Sequence, residues 1–500
     1  AWNSSDKRAG MRFLTVLYLL GWALLGLAGA MVVPFFVALK HDGLGVAQTF
    51  AVPLFALAMV SGLLIIAFRG QPQTQMRRQN LLLLFCVLLI APLAAAMPLY
   101  LSGFPGDFLH AYFESVSAFT TTGATIFDDL SILPRSILVW RSLLQWLGGL
   151  TTLLALLALL GSLSGTDLLD RQLRLIGRPM QDSISNLYDV LESVAPLYIL
   201  LTSVCFLLLV LTGLPAFDSL CLALSTLATG GFMPRNGPLD AYVSPLGQIV
   251  LAVFLFAGAV SFVWVRAIFQ ARWPVVRETR EPFWILWLML GGAAILTIAL
   301  SFVEPAYGLH GAFRLFASGL LTSASLFSTS AFIVTDPGIF ALPMVVLIVI
   351  CVMGGGRFST AGGLKVFRVF LMLRQIGREL RLLIYPHGVR AARFGDEARE
   401  RELLKATWIT FAAFMLALAL VVGTVAYSGV PFTGALLAGS GALSNMGSVY
   451  ALAGTGETSN LPPYSGMPPL AHAAMCLGMI VGRVEVIAFL ALVNISYWRH

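Results

Sequence analysis

Long apolar segments alternate with short apolar segments along most of the chain. Ten of them approach or exceed about 20 residues, the length at which a helix crosses the hydrocarbon core of a membrane. They lie at 13–39, 45–68, 81–101, 137–160, 191–211, 246–269, 283–302, 343–373, 406–427 and 470–498. The first follows basic residues, as a signal peptide does, but its apolar run continues past its small residues, which favours a retained span. The pattern predicts ten membrane helices.

The last eight long segments form four pairs, and a shorter apolar run lies inside each pair. These runs are too short to cross a membrane, so we expect half-membrane helices. Each run ends in a turn of small or polar residues. The four turns are Thr121, Thr122 and Gly123; Thr229, Gly230 and Gly231; Thr329, Ser330 and Ala331; and Asn445, Met446 and Gly447.

A turn at membrane depth has backbone groups that hydrocarbon cannot satisfy. Such a turn is tolerated only where it is buried in protein or lines a watery path. Glycine gives the backbone unusual dihedral freedom, and rings of carbonyl oxygens replace the water shell of K⁺ in potassium channels. The turns are therefore candidate filter segments. The alternative is that they are re-entrant turns that only pack.

Fourfold repetition of this unit decides the predicted fold. We expect an all-α polytopic membrane protein in which two leading helices precede four helix–pore helix–filter–helix repeats in pseudo-fourfold arrangement. The leading helices occupy 1–78 and the first pore repeat 79–165. A cytoplasmic link and the second repeat occupy 166–275, the third repeat 276–375, and a basic link with the fourth repeat 376–500.

Composition and charge support a membrane protein with a defined orientation. Of the 500 residues, 58% are hydrophobic and only 11% are charged, and the net charge is +7. Most Lys and Arg residues lie on the side opposite the turns, which predicts that the turns face outside. The basic charge is then an orientation signal and not a nucleic-acid patch. Acidic residues on the turn side either raise the local cation concentration or are simply solvated.

Other functional classes find little support. The five cysteines are unpaired in spacing and lie in or beside apolar segments, which argues against a disulfide framework or a metal site. The six histidines are scattered without the spacing of a nucleophile and its base. No phosphate-binding glycine loop is present. We expect no enzymatic activity and no cofactor in this chain.

A glycine-rich stretch at 354–363 interrupts an apolar segment, since glycine lowers helix propensity. It is either a helix end with a cytoplasmic turn or a loop at membrane depth. Arg483 lies in the last apolar segment, where a charge marks a function or a buried partner; one option is a carboxylate from another repeat. Glu114 and Arg141 are expected to pair behind the first turn.

Several motifs resemble the Trk/Ktr/HKT family of potassium transporters. The stretch 113–126, Leu133-Pro-Arg-Ser136 and Trp140-Arg-Ser-Leu-Leu-Gln-Trp-Leu-Gly-Gly149 resemble its first pore repeat. Ala442-Leu-Ser-Asn-Met-Gly447 and Gly482-Arg-Val-Glu485 resemble its fourth, and Ser359-Thr-Ala-Gly-Gly-Leu-Lys365 resembles its glycine-rich loop. The two leading spans favour the TrkH-type subunit of bacterial Trk systems over Ktr-type subunits.

The resemblance implies a K⁺-conducting uptake subunit of the bacterial cytoplasmic membrane, with K⁺ bound at the filter turns. It implies a gate loop below the filter, with the matching arginine facing the conduction path. The predicted gate residues are Gly355, Gly356, Arg357, Ser359, Thr360, Gly362, Gly363 and Arg483. It also implies a homodimer and a TrkA-like cytoplasmic ring that binds nucleotide and docks at the basic segment 365–405, a segment that contact with anionic lipids also explains.

Two departures from the family leave questions open. The third turn has Ala331 where the family places glycine. The motifs therefore predict ion conduction more strongly than they predict selectivity for K⁺ over Na⁺. Arg357 is outside the family pattern and either strengthens the cation barrier or points to the cytoplasmic surface. The rival function is a secondary transporter that couples K⁺ or Na⁺ to another ion. It would need buried carboxylates at a discontinuous helix.

Overall fold

The computed structural model describes residues 4–70, 77–159, 187–303, 308–336, 342–384, 397–453 and 461–486. Regular structure in these ranges is entirely helical. Seven helices are long and apolar enough to cross a membrane, and a bent helix pair makes an eighth. The predicted all-α polytopic fold is confirmed. Residues 160–186, which include the start of the predicted cytoplasmic link, lie outside the described residues.

Two antiparallel helices lead the chain, α1 (Ser4–His41) and α2 (Leu44–Ala67). The short connection between them is tied to the first repeat. The carboxylate of Asp42 accepts hydrogen bonds from the backbone N–H groups of Arg135 (3.2 Å) and Ser136 (2.8 Å). These are free donors at the start of a helix, so Asp42 caps that helix from a distant part of the chain.

Four repeats of outer helix, pore helix and inner helix follow. Repeat 1 has α3 (Arg77–Leu101), α4 (Phe108–Phe119) and α5 (Arg135–Leu159). Repeat 2 has α6 (Leu187–Leu211), α7 (Ala216–Leu227) and the bent pair α8 (Pro245–Ala259) and α9 (Phe262–Phe269). A short helix α10 (Trp273–Glu278) leads to the third repeat.

Repeats 3 and 4 have the same order with shorter inner helices. Repeat 3 has α11 (Glu281–Val303), α12 (Gly308–Phe327) and α13 (Met344–Met353), followed by α14 (Val366–Ile384). Repeat 4 has α15 (Glu397–Tyr427), α16 (Phe432–Leu443), the single turn α17 (Val449–Leu452) and α18 (Pro469–Val484). The sequence pattern predicts the third short apolar run over 315–328, whereas the third pore helix begins earlier, at Gly308.

The prediction of ten continuous spans is wrong for the inner helices of repeats 2 and 3. In repeat 4 the helix ends at Val484, and residues 487–498 of the predicted span lie outside the described residues. The segment 246–269 bends by 110° between α8 and α9, and the segment 343–373 ends its first helix at Met353. The two breaks complete each other. The amide of Gly356 donates to the carbonyl of Ala259 (2.8 Å), and the amide of Phe262 donates to the carbonyl of Phe358 (3.0 Å). Backbone groups freed at one helix end are thus satisfied by the other broken segment.

The buried side chains form two large clusters. One joins the leading helices to repeats 1 and 4, and the other lies mainly in repeats 2 and 3. Large apolar side chains on the outside of the bundle remain exposed, among them Phe55 and Ile66 of α2. Hydrocarbon, unlike water, imposes no cost on such a surface. The polar residues are concentrated inward, where the four pore helices end.

Candidate functional site

The four turns begin with the same backbone conformation. Their first residues are all left-handed: φ is 54° at Thr121, 53° at Thr229, 62° at Thr329 and 52° at Asn445. Left-handed backbone is uncommon for residues other than glycine, so its recurrence at matched positions shows that the repeats are structurally equivalent here. Every residue of the four turns is buried. Each turn follows the C-terminal end of its pore helix, the end that carries partial negative charge and favours a cation.

The third residue of the turn divides the repeats three to one. Gly123 (φ 78°), Gly231 (φ 81°) and Ala331 (φ 51°) are left-handed, whereas Gly447 is not. Ala331 therefore has a left-handed backbone, which is strained for a residue with a Cβ atom, at the position where the family places glycine. The expectation that Gly447 matches Gly123 and Gly231 is not met in its backbone.

Hydrogen bonds within repeat 4 explain the different conformation of its turn. The carbonyl of Met446 accepts from the amide of Val449, and the carbonyl of Gly447 accepts from the amide of Tyr450, both at 3.2 Å. The chain therefore runs directly into α17 instead of leaving the turn extended.

The turns lie beside one another in chain order. A Cβ atom added to Gly123 would overlap the carbonyl oxygen of Gly230, and one added to Gly231 would overlap that of Ser330. A Cβ atom on Gly447 would lie 2.7 Å from the backbone nitrogen that follows Gly123. Turn 1 thus adjoins turns 2 and 4, and turn 2 adjoins turn 3. The four turns therefore form a continuous series in the order 4, 1, 2, 3.

Turns 1 and 4 are joined by hydrogen bonds. The amide of Gly447 donates to the carbonyl of Thr122 (2.6 Å), and Asn445 Nδ2 donates to Thr122 Oγ1 (3.1 Å). Ser448 Oγ donates to the carbonyl of Gly123 (2.9 Å). Asn445 also donates to the carbonyl of Met479 in α18 (2.9 Å). The fourth turn is therefore fixed both to the first turn and to its own inner helix.

A buried ion pair supports the first turn from behind. Arg141 Nε lies 2.7 Å from Glu114 Oε1, and the two side chains are 2% and 0% exposed. The other carboxylate oxygen accepts from the amide of Ile126 (3.0 Å), while Arg141 also donates to Thr125 (2.9 Å) and faces the ring of Phe232. The predicted pair is confirmed. It connects the pore helix, the residues after the turn, and repeat 2.

Gln145 of α5 supports the second turn, a role that the sequence reasoning missed. Its Nε2 donates to the carbonyl of Gly230 (2.7 Å), and its Oε1 accepts from Ser225 Oγ (2.7 Å). A buried glutamine in an otherwise apolar inner helix is an available sequence signal, because buried amides require partners. Its partner is 85 residues away in the chain, so the sequence alone could not name it.

Three carboxylates near the turns form ion pairs or hydrogen bonds with other side chains. Asp218 pairs with Arg235 at 2.5 Å. Asp129 accepts from Ser131 and from Asn236, and these hydrogen bonds, chiefly those of Ser131, lower the pKa of Asp129. Asp128 accepts from Ser465. Asp129 thus stays ionised, while the carboxylate of Asp218 forms an ion pair with Arg235.

The glycine-rich segment 354–363, here called the gate loop, is folded directly beneath the turns. Thr360 Oγ1 is 3.1 Å from the carbonyl of Gly258 and 3.3 Å from that of Leu227, and Thr229 Oγ1 donates to Thr360 Oγ1 (3.3 Å). The amide of Gly362 donates to Thr329 Oγ1 (2.9 Å). The loop therefore contacts the turn residues of repeats 2 and 3.

The gate loop is also closely packed against itself and against repeat 4. A Cβ atom on Gly362 would overlap the carbonyl of Ser444, the residue before the fourth turn. Gly354 and Gly363 have positive φ and lie against one another, and the amide of Gly355 donates to the carbonyl of Gly362. Ser359 Oγ donates to the carbonyl of Gly356 (2.6 Å). The segment is therefore a compact loop packed against the ends of the pore helices.

Arg483 of α18 contacts this loop. Its Nη1 donates to the carbonyl of Thr360 (2.6 Å), and its Nε donates to Thr152 Oγ1 of α5 (2.6 Å). The side chain is buried, and its Nη2 has no hydrogen-bond partner among the described residues. The alternative that Arg483 pairs with a carboxylate from another repeat finds no support within those residues, since its hydrogen bonds go to neutral oxygens.

Arg357, inside the gate loop, is bound to a carboxylate of the third repeat. Its amide and its Nε donate to the carboxylate of Glu281, at 2.9 Å and 3.2 Å. Its guanidinium lies 3.7 Å from the ring centroid of Phe367. The side chain is one-third exposed and anchors the gate loop to the first turn of α11. The two alternatives considered for its role stay predictions.

Comparisons with known proteins agree with this geometry. The chain is 29% identical to the Trk system potassium uptake protein TrkH of Halomonas elongata and 28% identical to that of Salmonella typhimurium. Both alignments cover 98% of this chain and 100% of the relative. The crystal structure of the potassium transporter TrkH from Vibrio parahaemolyticus matches with a TM-score of 0.84 and 24% identity. It covers 97% of this chain and 100% of that chain.

The family model for TrkH, described as a cation transport protein, matches residues 46–497. That range includes all four turns, the gate loop and Arg483. The resemblance that the sequence motifs indicated is confirmed, and the chain belongs to the TrkH family of cation transport proteins.

Proposed function

We propose that this chain is the pore subunit of a bacterial potassium uptake system and passes K⁺ across the cytoplasmic membrane down its electrochemical gradient. Its filter is formed by the four turns, which face outside. The observation that carries the proposal is the left-handed first residue shared by all four turns, because this backbone recurs at the ends of four pore helices whose turns adjoin one another. Oxygen atoms gathered in this way replace the hydration shell of K⁺.

The gate loop and Arg483 close the inner side of this path. The loop's contacts with turn residues support this role, since the loop cannot stay in this position while a hydrated ion leaves the filter inward. A buried guanidinium beside the loop adds an electrostatic cost for a cation. At 4 Å and an effective dielectric constant near 20, that cost is about 4 kcal/mol before screening.

The main alternative is a symporter that couples K⁺ or Na⁺ to a second ion. A coupled site needs carboxylates that are free to bind the ion. Among the described residues, the buried carboxylates Glu114, Asp218 and Glu281 are each paired with an arginine. The geometry therefore favours passive conduction.

Assembly with regulators is part of the same proposal. The chain acts as a homodimer and is opened by a cytoplasmic nucleotide-binding ring similar to TrkA, docked at the basic segment 365–405. Supporting this, α14 within that segment contains Arg374, Arg378 and Arg381. Because the sequence contains no phosphate-binding glycine loop, we place nucleotide control in the partner.

Uptake of Rb⁺ and Na⁺ into liposomes containing only the purified chain tests the function. With K⁺ trapped inside, we expect the K⁺ gradient to drive Rb⁺ uptake. This uptake should be unchanged when H⁺ or Na⁺ gradients are removed. A requirement for either gradient would establish the symporter. Absence of Rb⁺ uptake in both conditions would contradict cation conduction by this chain alone.

A further inference from the structure

The carbonyl oxygen of Gly447 in the fourth turn is held by two protein donors. Tyr464 Oη donates to it at 2.9 Å, and the amide of Tyr450 donates at 3.2 Å. A carbonyl oxygen has two lone pairs, so both acceptor positions of this oxygen are occupied. The side chain of Tyr464 thus acts on a filter residue from 17 positions further along the chain.

Tyr464 is itself firmly placed. It is 7% exposed and begins a short 3₁₀ turn, Tyr464–Gly466. Its ring packs against the rings of Phe113 in pore helix α4 and of Tyr450, with centroids 5.7 Å and 4.7 Å away. Its hydroxyl is a hydrogen-bond donor, and this packing fixes its position.

A histidine in the inner helix fixes the backbone of Tyr464. His472 Nε2 lies 2.8 Å from the carbonyl oxygen of Tyr464, and the imidazole packs against Phe113 at 5.0 Å between centroids. The contact runs from α18 through Tyr464 to the fourth turn. Gly447 is thus held at its carbonyl by Tyr464 and at its amide by the carbonyl of Thr122.

This arrangement accounts for the different backbone of the fourth turn. Gly123, Gly231 and Ala331 are left-handed at the matching position, and Gly447 is the exception. Glycine adopts positive φ at little cost, so no intrinsic preference of residue 447 prevents the common conformation. The donors on its carbonyl select the other one.

We infer that Tyr464 is a positioning residue for ion selectivity: it fixes the direction of the Gly447 carbonyl and keeps the fourth turn rigid against the first. The inference rests on the proposed function and deepens it. A carbonyl released from this hydrogen bond becomes a mobile oxygen ligand. Mobile oxygens close around the smaller Na⁺ more readily than rigid ones, so release lowers discrimination in favour of K⁺.

The variant Tyr464→Phe removes the hydroxyl and keeps the ring. Tyr450→Phe is a matched control, because it also removes one hydroxyl that donates to a carbonyl, that of Pro462, outside the turns. Both variants keep the amide of residue 450. In liposomes, we expect Tyr464→Phe to lower the Rb⁺/Na⁺ permeability ratio by about threefold to tenfold, the effect of one hydrogen bond. Tyr450→Phe should keep the wild-type ratio.

The outcomes separate this inference from the function on which it rests. Absence of Rb⁺ uptake by the wild-type chain and also by its Arg483→Ala variant, in which the proposed gate is weakened, would overturn the proposed function and the inference together. Wild-type uptake with an unchanged or higher ratio in Tyr464→Phe, or an equal fall in Tyr450→Phe, would overturn the inference alone. If Tyr464→Phe does not fold, His472→Phe removes the donor to the Tyr464 backbone and keeps a ring in place. It should lower the ratio in the same direction, and an unchanged ratio would again overturn the inference.

Discussion

Arg483 Nη1 donates a hydrogen bond to the backbone carbonyl of Thr360 at 2.6 Å. This contact joins the last inner helix, α18, to the gate loop of repeat 3 across 123 positions of the chain. Thr360 in turn contacts Thr229, the first residue of the second turn, through its side chain. Arg483 is thus one residue removed from the filter, and its position depends on that of the loop.

Substitution of Gly123 tests the role of the turns directly. Gly123→Ala adds a methyl group that overlaps the carbonyl of Gly230 and lies 2.8 Å from Ser448 Oγ, at a φ of 78°. We expect Rb⁺ uptake into liposomes to fall at least about tenfold, or its selectivity over Na⁺ to be lost, while the protein remains folded.

Gly103 provides the matched control for this substitution. It has nearly the same φ, 77°, but an added Cβ atom meets nothing within 4 Å. Gly103→Ala should therefore cost about 1–2 kcal/mol of stability for the left-handed alanine and leave uptake unchanged. Equal uptake by Gly123→Ala and Gly103→Ala would contradict the assignment of turn 1 to the filter.

Substitution of Ala331 by glycine is a second test, in which ion selectivity should improve. Ala331→Gly relieves a left-handed alanine and removes the only methyl group at this position of the first three turns. The ratio of Rb⁺ to Na⁺ permeability should rise. Ala271→Gly relieves the same strain, φ 53°, between α9 and α10, and should leave the ratio unchanged. If Ala331→Gly also leaves it unchanged, the third turn does not take part in selection.

The Glu114–Arg141 pair predicts a stability effect behind the filter. Removing one partner leaves the other as an uncompensated buried charge, so Arg141→Ala should lower the free energy of unfolding by about 3–5 kcal/mol. Arg69→Ala, at an exposed position, should change it by less than about 0.5 kcal/mol. The double variant Glu114→Leu with Arg141→Met should be more stable than Arg141→Ala. Thermal unfolding in detergent measures all three, and a double variant no more stable than Arg141→Ala would contradict the pairing.

The contact between Glu281 and Arg357 predicts an effect on gating without a change in the filter. Glu281→Gln removes the charge that holds Arg357 and the loop backbone to α11. A charged hydrogen bond contributes about 1.5–3 kcal/mol, so the loop should open more often and unregulated Rb⁺ flux should rise several-fold at the same ion selectivity. Arg280→Gln changes the adjacent, exposed charge and should have no effect. Equal flux in both variants would show that this contact does not restrain the loop.

Much of the architecture could be predicted from the sequence because membrane spans and repeated turns leave strong local signals. The four turns, the gate loop and the Glu114–Arg141 pair were located in this way. Gly354 and Gly363 mark the break of the third inner helix because both need positive φ. The bend before Ser261 has no such mark, since its freed carbonyls are satisfied by the gate loop, which is distant in the chain.

The remaining features depend on partners that periodicity does not reveal. The left-handed Thr121 and its equivalents have no glycine to indicate them. The different backbone of Gly447 follows from donors at Tyr450 and Tyr464, and the position of Arg357 follows from Glu281, 76 residues away. In each case the sequence supplies the residue, whereas the three-dimensional contact supplies its role.

The central claim is that the gate loop and Arg483 form one obstruction below the filter. Rb⁺ flux through liposomes should be measured for Arg483→Ala, for a deletion within 357–361, and for both together, without any regulator. Each single change should raise flux, and the combination should give less than the product of the two gains, because both remove the same barrier. Fully multiplicative gains, or no gain from either change, would contradict this account.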